Sequence, residues 1–395
     1  MAPIINVYSG INLGYLWMAD IDVYETVIFH RKWQDIGGFE IYLPLKEEYL
    51  DFFAVGRCIV LDNDPSRSGI IQFCEKSEAD PDQIVVKGYT LNGLISKRIN
   101  LQFDDEQMNE WNMGDDVVPA STGPGQFSTL PAEDVIKEYI NRHIVNPTDA
   151  KRKMPFISVG SNLHRGTNLL KRAKNGTPLN QTLNEICIYA DLGYEIQFGA
   201  VPTGAHKFDI IVGRDFGINP STPNIEFSQD FDNIKELKFV QDETEYKNTG
   251  YAAGKRNANG SRAIAVVSSE SVLPSAENRN EIFFDCGENM ISVETNTELS
   301  LYDEGRQRIK QYAAVQTLDG ETLDVGLFRY REDYDIGDIV SVKSVKFGFT
   351  EDKRISEVIE TYDKDSPEGN IKIIFGTPKA NLRNTIKKIV REAQN

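Results

Sequence analysis

The chain has 395 residues, of which 43 are basic and 60 are acidic, so its formal net charge at pH 7 is −17. A chain of this length exceeds one compact core and predicts about two to four domains. Its apolar content of 40%, with 20 Phe and 16 Tyr, excludes a wholly disordered protein. The acidic excess repels phosphate backbones and argues against specific nucleic-acid binding.

The N-terminus and the cysteines indicate a soluble protein made in a reducing compartment. The first residues have no basic region followed by an apolar core and a cleavage site, and no apolar run approaches the ~20 residues of a spanning helix. The cysteines lack metal-ligand spacing, and we expect no metal or other cofactor. Cys58 and Cys74 could face one another across a hairpin, but their apolar neighbours favour reduced, buried thiols. The remaining cysteines are Cys187 and Cys286.

Residues 1–100 are predicted to form strands. Apolar, β-branched and aromatic segments recur between short turns such as Gly37-Gly38. Short strands at this spacing are typical of a small antiparallel barrel, so we predict an N-terminal β-barrel over residues 1–100.

Residues 101–222 are predicted to form an α+β domain with two helices and a hairpin. After a Gly-, Asp- and Pro-rich stretch, Thr129 is a candidate cap for a helix that Pro147 ends. A second helix begins at Thr177-Pro178 and is expected to stop at Gly193. A hairpin then follows within residues 194–212.

Residues 223–378 are predicted to form a second β-barrel that carries an inserted α+β segment at about 251–320. The insertion includes a helix near 299–314, and residues 323–327 are predicted to lead back into strands. The last segment, 379–395, reads as a basic amphipathic helix. This helix could dock a partner, self-associate, or fold back on its own domain.

A strand-turn-strand pattern occurs once in each predicted barrel. The first copy runs from Gly56 to Gly88, and the second runs from Gly337 to Gly376. Two related β-units in one chain suggest an oligomer with twice as many equivalent units as subunits. The pattern fits two unrelated meanders equally well, because glycines before strands and Asp-Pro turns are common.

No catalytic or ligand-binding constellation emerges from the motifs. Residues 250–256 resemble a phosphate loop, but their glycine spacing is one residue short and Arg256 replaces the magnesium-binding Ser or Thr. Residues 62–67 resemble the start of a calcium loop, but Arg67 occupies the required Gly position and Phe73 the required Glu position. The four histidines form no metalloprotease pattern. We therefore predict no catalytic, cofactor-binding or metal-binding residues.

Four stretches carry a resemblance to a known family. Residues 129–140 and 330–340, followed by the strands at 355–362 and 371–376, resemble the siphophage ReqiPepy-type tail proteins, which are tail-tip hub proteins of tailed bacteriophages and prophages. The Tyr-Asp-Ile-Gly-Asp-Ile-Val segment from Tyr334 is the strongest part. The likeness extends over about residues 1–378.

The resemblance implies a structural virion protein located at the tail tip. It implies a homotrimeric ring in which each subunit supplies two tube-like β-barrels. Six barrels would match the six-fold tail tube above, and three subunits would match a three-fold spike, fibre or lysin protein below. DNA would only pass through the lumen, with no specific nucleic-acid binding and no membrane insertion. The family supplies no catalytic residues.

Two alternative functions remain open at the level of sequence. A tail-associated cell-wall hydrolase would need a His or carboxylate cluster. A host-glycan-binding module would need exposed aromatic side chains, for which the candidates are Trp17, Trp33 and Trp111. Trp111 is the best of these, because it lies in the polar stretch.

Overall fold

The computed structural model describes a β-rich α+β fold. It covers residues 2–10, 14–78, 82–101, 116–119, 128–199, 205–217, 224–271, 273–287, 300–322, 328–364 and 366–376. Four predictions fall outside these residues: Trp111, most of the Gly-rich stretch after residue 101, residues 323–327 and the C-terminal helix at 379–395.

The first hundred residues form seven strands, as their alternating pattern predicts. In β3 and β4 buried residues alternate strictly with half-buried ones, so one face of each strand packs on a core. Short 3₁₀ helices cover Glu47–Tyr49 and Leu91–Lys97. The strands are β1 (Ile5–Tyr8), β2 (Trp17–Ile21), β3 (Thr26–Lys32), β4 (Gly38–Pro44), β5 (Cys58–Leu61), β6 (Ser68–Ser77) and β7 (Gln83–Thr90).

The next segment contains both predicted helices and the predicted hairpin. A π-helical turn, Asn141–Val145, extends the first helix, and a 3₁₀ turn covers Ala150–Arg152. The elements are β8 (Asp116–Val118), β9 (Leu130–Pro131), α1 (Ala132–Ile140), β10 (Ile157–Val159), β11 (Asn168–Leu169), β12 (Lys171–Ala173), α2 (Leu179–Ala190), β13 (Gly193–Gln197) and β14 (His206–Ile211).

The predicted ends of the helices are wrong in two places. The residue before α1 is Pro131, not Thr129, and no side chain caps the helix. Helix α2 ends at Ala190, and the next residue, Asp191, takes the left-handed conformation with φ 54°. Gly193 has another role, since a Cβ there would lie 2.4 Å from the ring of Trp33. The glycine therefore permits close packing and does not stop the helix.

The remaining residues form strands around one more helix. Helix α3 confirms the helix predicted near 299–314, and 3₁₀ turns cover Gln229–Phe231, Ala276–Asn278 and Lys310–Tyr312. The elements are β15 (Asp215–Phe216), β16 (Glu226–Ser228), β17 (Ile234–Asp242), β18 (Thr249–Arg256), β19 (Arg262–Ser268), β20 (Glu281–Asp285), α3 (Leu301–Ile309), β21 (Val315–Thr322), β22 (Ile339–Ser344), β23 (Phe349–Asp363) and β24 (Ser366–Gly376).

In the part of the chain that the structure describes, fourteen strands form one continuous sheet. Its main path runs β17-β21-β24-β23-β3-β4-β7-β6-β5-β1-β2, and β22 attaches to β23 and pairs with β15 and β16. The two predicted repeat copies are the meanders β5-β6-β7 and β22-β23-β24. They lie in the same sheet, because β3 pairs with β23.

Within the described ranges, the buried hydrophobic residues form four clusters. One lies among the strands β1 to β7, and a second surrounds α1 and α2 and also receives residues from β5 and β6. A third lies around the second meander with β16, β17 and β21. The fourth lies between α3 and the three-stranded sheet β19-β18-β20.

The two meanders have the same hydrogen-bond pattern at their entrance. The N–H of Gly56 donates to the carbonyl of Ile71 at 2.8 Å, and that of Gly337 donates to Ile355 at 2.8 Å. Both glycines have φ 87°, a conformation that favours glycine. Gly56 is thus equivalent to Gly337, and Ile71 is equivalent to Ile355.

The equivalence continues along the strands. The pairing of β6 with β7 shifts by one residue between Ile71 and Phe73, and that of β23 with β24 shifts between Ile355 and Glu357. A bulge at the same position in both copies is difficult to reconcile with two unrelated meanders, because bulges are specific features of a strand pair. The repeated pattern therefore reflects a shared structure.

A buried ion cluster holds the start of α1. The Glu133 side chain is fully buried, and its carboxylate accepts from Lys137 Nζ at 2.7 Å and from Arg165 Nε at 2.8 Å. Burial alone would raise the pKa of Glu133, but the hydrogen bonds from Arg165 and Lys137 lower it from 4.5 to about 2.

Glu133→Gln should reduce the stability of the folded protein at neutral pH and remove part of its acid sensitivity. A carboxyl with a lowered pKa in the folded state stabilises fully above its unfolded pKa of 4.5, and loses this effect as the pH falls towards 2. At about 1.4 kcal/mol per pKa unit, the effect is about 3 kcal/mol. Thermal unfolding between pH 2 and 7 measures it. Glu138→Gln, on the exposed side of the same helix, is the control and should shift the melting temperature little.

Candidate functional site at the junction of the two meanders

The junction between the meanders is the long strand β23. Its first half, Phe349–Arg354, pairs with β22, and its second half, Glu357–Asp363, pairs with β3. One strand therefore belongs both to the second meander and to the contact with the N-terminal strands.

A buried ion pair crosses this junction. Arg67 Nη2 lies 2.7 Å from Glu360 Oε2, and the Glu360 side chain is only 1% exposed. The Tyr362 hydroxyl donates to the same carboxylate at 2.9 Å, and Asp62 binds Arg67 from the N-terminal side at 3.0 Å. Burial raises the pKa of Tyr362, so its hydroxyl remains a donor at neutral pH. The first meander is thereby bound to the second half of β23.

A second buried cation, Arg31, connects three parts of the chain. From β3 its guanidinium reaches Asp335 Oδ1 at 2.7 Å and the Tyr330 hydroxyl at 2.8 Å, and it lies 3.4 Å from Glu195 in β13. Burial alone would raise the pKa of Asp335, but Arg31 holds it below its usual value. The residues that lead into the second meander are thus held against β3 and the hairpin.

On the face of the sheet opposite the cores, two lysines are paired with carboxylates. Lys87 Nζ lies 2.9 Å from Glu40, and Lys372 Nζ lies 3.8 Å from Asp319. Glu40 and Asp319 occupy equivalent positions. Strand β4, which carries Glu40, pairs with the last strand of the first meander, and β21, which carries Asp319, pairs with the last strand of the second. At the junction itself, Glu357 binds His30 at 2.7 Å. These cations are therefore neutralised by neighbouring carboxylates.

Sequence reasoning missed the buried charges of the junction. Arg31 and Glu360 both occupy core-side positions of strands whose other core-side residues are apolar, such as Phe29 and Val358. A charge at a position where alternation demands an apolar residue is the signal that could have identified them.

The thiols and the buried imidazole indicate no reactive nucleophile. All four cysteines are free, and burial raises the pKa values of Cys58 and Cys187 and brings that of Cys286 to about 11. Burial lowers the pKa of His206 to about 4. In the part of the chain that the structure describes, no three His, Cys, Asp or Glu side chains lie together as a metal site requires.

The two motifs rejected in the sequence are ordinary structural elements. Residues 250–256 lie in strand β18, with no phosphate-binding turn. Residues 62–67 form the turn between β5 and β6, in which Asp62 and Asn63 have positive φ values. No helix within the described ranges is long and apolar enough to cross a membrane.

The tryptophans differ in exposure. Trp17 is 59% exposed on the edge strand β2, whereas Trp33 is 2% exposed and packs against Gly193 and Gly337. Arg354 lies 5.4 Å from the Trp33 ring centroid, beside a cleft of about 350 Å³ with charged side chains of both signs. Trp33 is therefore wrong as a glycan-binding candidate, because it is a buried packing residue of the junction.

Arg67→Met should destabilise the protein by about 3–5 kcal/mol, because it leaves Glu360 buried and unpaired. The double variant Arg67→Met/Glu360→Leu should recover much of this loss, since neither charge then remains. Chemical denaturation measures both. Arg329→Met is the control, as Arg329 is 67% exposed in its surface pair. Equal losses for the single and double variants would contradict a role for the uncompensated charge.

Comparison with solved structures shows which proteins share this fold. The chain is 9% identical to prophage tail protein gp18 of Listeria monocytogenes EGD-e, with a TM-score of 0.55 and 100% of both chains covered. It is 10% identical to the tail protein of Neisseria meningitidis MC58, with a TM-score of 0.52 over 95% of this chain and 97% of that one. The 43 kDa tail protein of prophage MuSo2 from Shewanella oneidensis is 11% identical, with a TM-score of 0.50 over 96% and 97%.

Sequence comparison gives the family. No curated protein matches the chain. Residues 5–377 match the family described as Siphovirus ReqiPepy6 Gp37-like protein, which confirms the resemblance seen in the sequence. The match extends over nearly the whole chain, and the three solved structures compared above are tail proteins. The chain is therefore a phage tail protein and belongs to the Siphovirus ReqiPepy6 Gp37-like family.

Proposed function

We propose that this tail protein is a homotrimeric hub at the tail tip, which adapts a six-fold tail tube to a three-fold spike or fibre. The observation that carries the proposal is the duplicated meander with its shared register and bulge. Two equivalent units in one chain give six units in a ring of three chains. Such a ring can contact six-fold and three-fold partners on its two sides.

The proposed units are two β-barrels with an α+β domain between them. They comprise residues 1–100, 101–222 and 223–378, with an insertion at about 251–320 and a C-terminal helix at 379–395. The four hydrophobic clusters support this division, since each of the first four units contains most of one cluster. The continuous sheet would then contribute the inner wall of the ring.

The polar face of the sheet would line a conduit for DNA. Lys87 and Lys372 on this face are paired with carboxylates, and the whole chain carries a net charge of −17, so DNA would pass without binding. The proposed role is structural, because the buried charges of the junction are engaged in ion pairs with one another. The proposed location is the virion tail tip.

Purified protein should form a three-chain ring with a central hole and six peripheral lobes. Light scattering at several concentrations gives the mass, and electron microscopy gives the symmetry. A stable dimer or tetramer would contradict the hub. A monomer at every concentration would contradict self-assembly, and immunolabelling of intact tails would then test the tail-tip location directly.

The double variant Glu40→Gln/Asp319→Asn should convert the polar face into a weak DNA-binding surface. This variant removes the carboxylates that Lys87 and Lys372 contact, and these two carboxylates stand at equivalent positions beside the two meanders. Fluorescence anisotropy with duplex DNA should show binding that weakens with salt. The logarithm of the binding constant should fall with the logarithm of the salt concentration, with a slope of about 0.9 per phosphate contact. The unmodified protein should show none. Glu243→Gln/Asp303→Asn, outside this face, controls for net charge, and equal binding by both variants would contradict the assignment.

A further inference from the structure

We infer that β17 of one copy pairs with the second half of β6 in the next copy, in an antiparallel register set by the internal repeat. The inference rests on the proposed ring and identifies the strands that close it. It follows from extending the equivalence of the two meanders outward to the strands beside them.

Strand β17 is the counterpart of β3. Strand β4 pairs with β7 as β21 pairs with β24, and β3 pairs with β4 as β17 pairs with β21. Phe39 lies opposite Phe29 in the first unit, and Leu318 lies opposite Phe239 in the second. Since Phe39 and Leu318 are equivalent, Phe239 is the counterpart of Phe29.

Inside the chain, β3 pairs with the second half of β23, whose counterpart is the second half of β6. Within the described residues, β6 pairs there only with β7, and β17 pairs only with β21. Both strands expose an aromatic ring: Phe73 is 45% exposed and Phe239 is 40% exposed, whereas Phe29 is fully buried at the internal junction. Two open edges with exposed apolar side chains are what a strand-pairing interface requires.

The internal register fixes the register between copies. Glu360 lies opposite Phe29 and Ile359 lies opposite His30 in the internal pair. Since Ile355 is equivalent to Ile71, equivalent residues of β23 and β6 differ in number by 284 (355 − 71). Glu360 therefore corresponds to Lys76, and Ile359 corresponds to Glu75. Lys76 of one copy should therefore lie opposite Phe239 of the next, and Glu75 should lie opposite Val240.

The charges at these counterpart positions are complementary. The internal junction contains the ion pair Arg67–Glu360. The same offset of 284 residues relates Arg67 to Glu351 and Glu360 to Lys76. The pair between copies would thus be Glu351–Lys76, with both signs reversed. Glu351 is 48% exposed and contacts Lys353 at its surface, and Lys76 is exposed, so both side chains are accessible to a neighbour.

A second cross-junction ion pair changes in the same coordinated way. The ion pair Arg31–Asp335 corresponds to Gln241 and Ala54. Gln241 follows from the equivalence of β3 and β17. Ala54 follows from a shared hydrogen bond, because the N–H of Arg57 donates to Ala54 as that of Asp338 donates to Asp335. Both charges are absent together from the counterpart. This pair of positions therefore leaves no uncompensated charge in the projected junction.

The third pair changes from polar to apolar at both positions. Glu357 and His30 form a hydrogen-bonded pair inside the chain. Their counterparts are Phe73 and Val240, which would meet diagonally across the new strand pair. Together the three pairs favour a second copy as the occupant of the open edges, because each side matches the other side of this same chain.

A disulfide between copies tests the register. Opposed residues on antiparallel strands have Cβ atoms about 4.5–5.5 Å apart, within reach of a disulfide. Glu75→Cys/Val240→Cys should give cross-linked dimers and trimers on mild oxidation, seen on non-reducing gels. Glu75→Cys/Lys235→Cys is the control, because Lys235 lies five residues away along β17 and should form no cross-link.

Charge exchange tests the predicted ion pair. Lys76→Glu and Glu351→Lys should each raise the ring's dissociation constant by about tenfold, and the double variant should restore it. Lys255→Glu, at an exposed site on β18, is the control and should have little effect. Equal and additive losses in the double variant would overturn the pairing.

The outcomes separate this inference from the proposed hub. A three-chain ring that forms no cross-link at residues 75 and 240 overturns the strand pairing and leaves the hub intact. Cross-linked chains longer than three would support the pairing and overturn the closed three-chain ring. A monomer that forms no cross-link at any concentration overturns both self-assembly and the pairing.

Discussion

The pairing of β3 with β23 is the constraint on which the rest of the structure depends. It brings residues 26–32 beside residues 357–363 and so joins the two repeats into one sheet. A slip of one residue would move every side chain of a strand to the opposite face. Two buried cations, Arg67 and Arg31, oppose such a slip because their carboxylate partners lie across the junction.

Buried ion pairs of this kind add little stability compared with apolar side chains of similar volume. Replacing them with apolar side chains is often neutral or stabilising, whereas breaking one is costly. The sign reversal between the internal and projected junctions has a consequence. If β3 of one copy paired with the second half of β6 in another, Lys76 would take the place of Glu360. It would then approach Arg67 of the copy that supplies β3. Like charges would then disfavour the incorrect pairing.

The local elements could be predicted from the sequence, whereas the contacts between them could not. Helices α1 to α3 and both meanders follow from periodicity, turn residues and the glycines Gly56 and Gly337. The joining of β3 to β23 spans more than 300 residues, and no local pattern specifies such a pairing. The burial of Glu133, Arg67 and Arg31 depends on it or on similar long-range contacts. Trp33 was misjudged for the same reason, since the glycines beneath it come from distant segments.

The difference between the two junctions explains how a duplicated chain would give a three-fold ring. Six identical units joined by six identical junctions would have six-fold symmetry. Here the covalent chain makes one junction ionic, through Arg67 and Glu360, and the projected junction carries reversed or apolar counterparts. The two types of junction would alternate around the proposed ring, so the backbone of the sheet would approach six-fold symmetry while the side chains would retain three-fold symmetry. A side that presents the shared backbone pattern suits a six-fold partner, and a side that presents the differing loops and insertions suits a three-fold one.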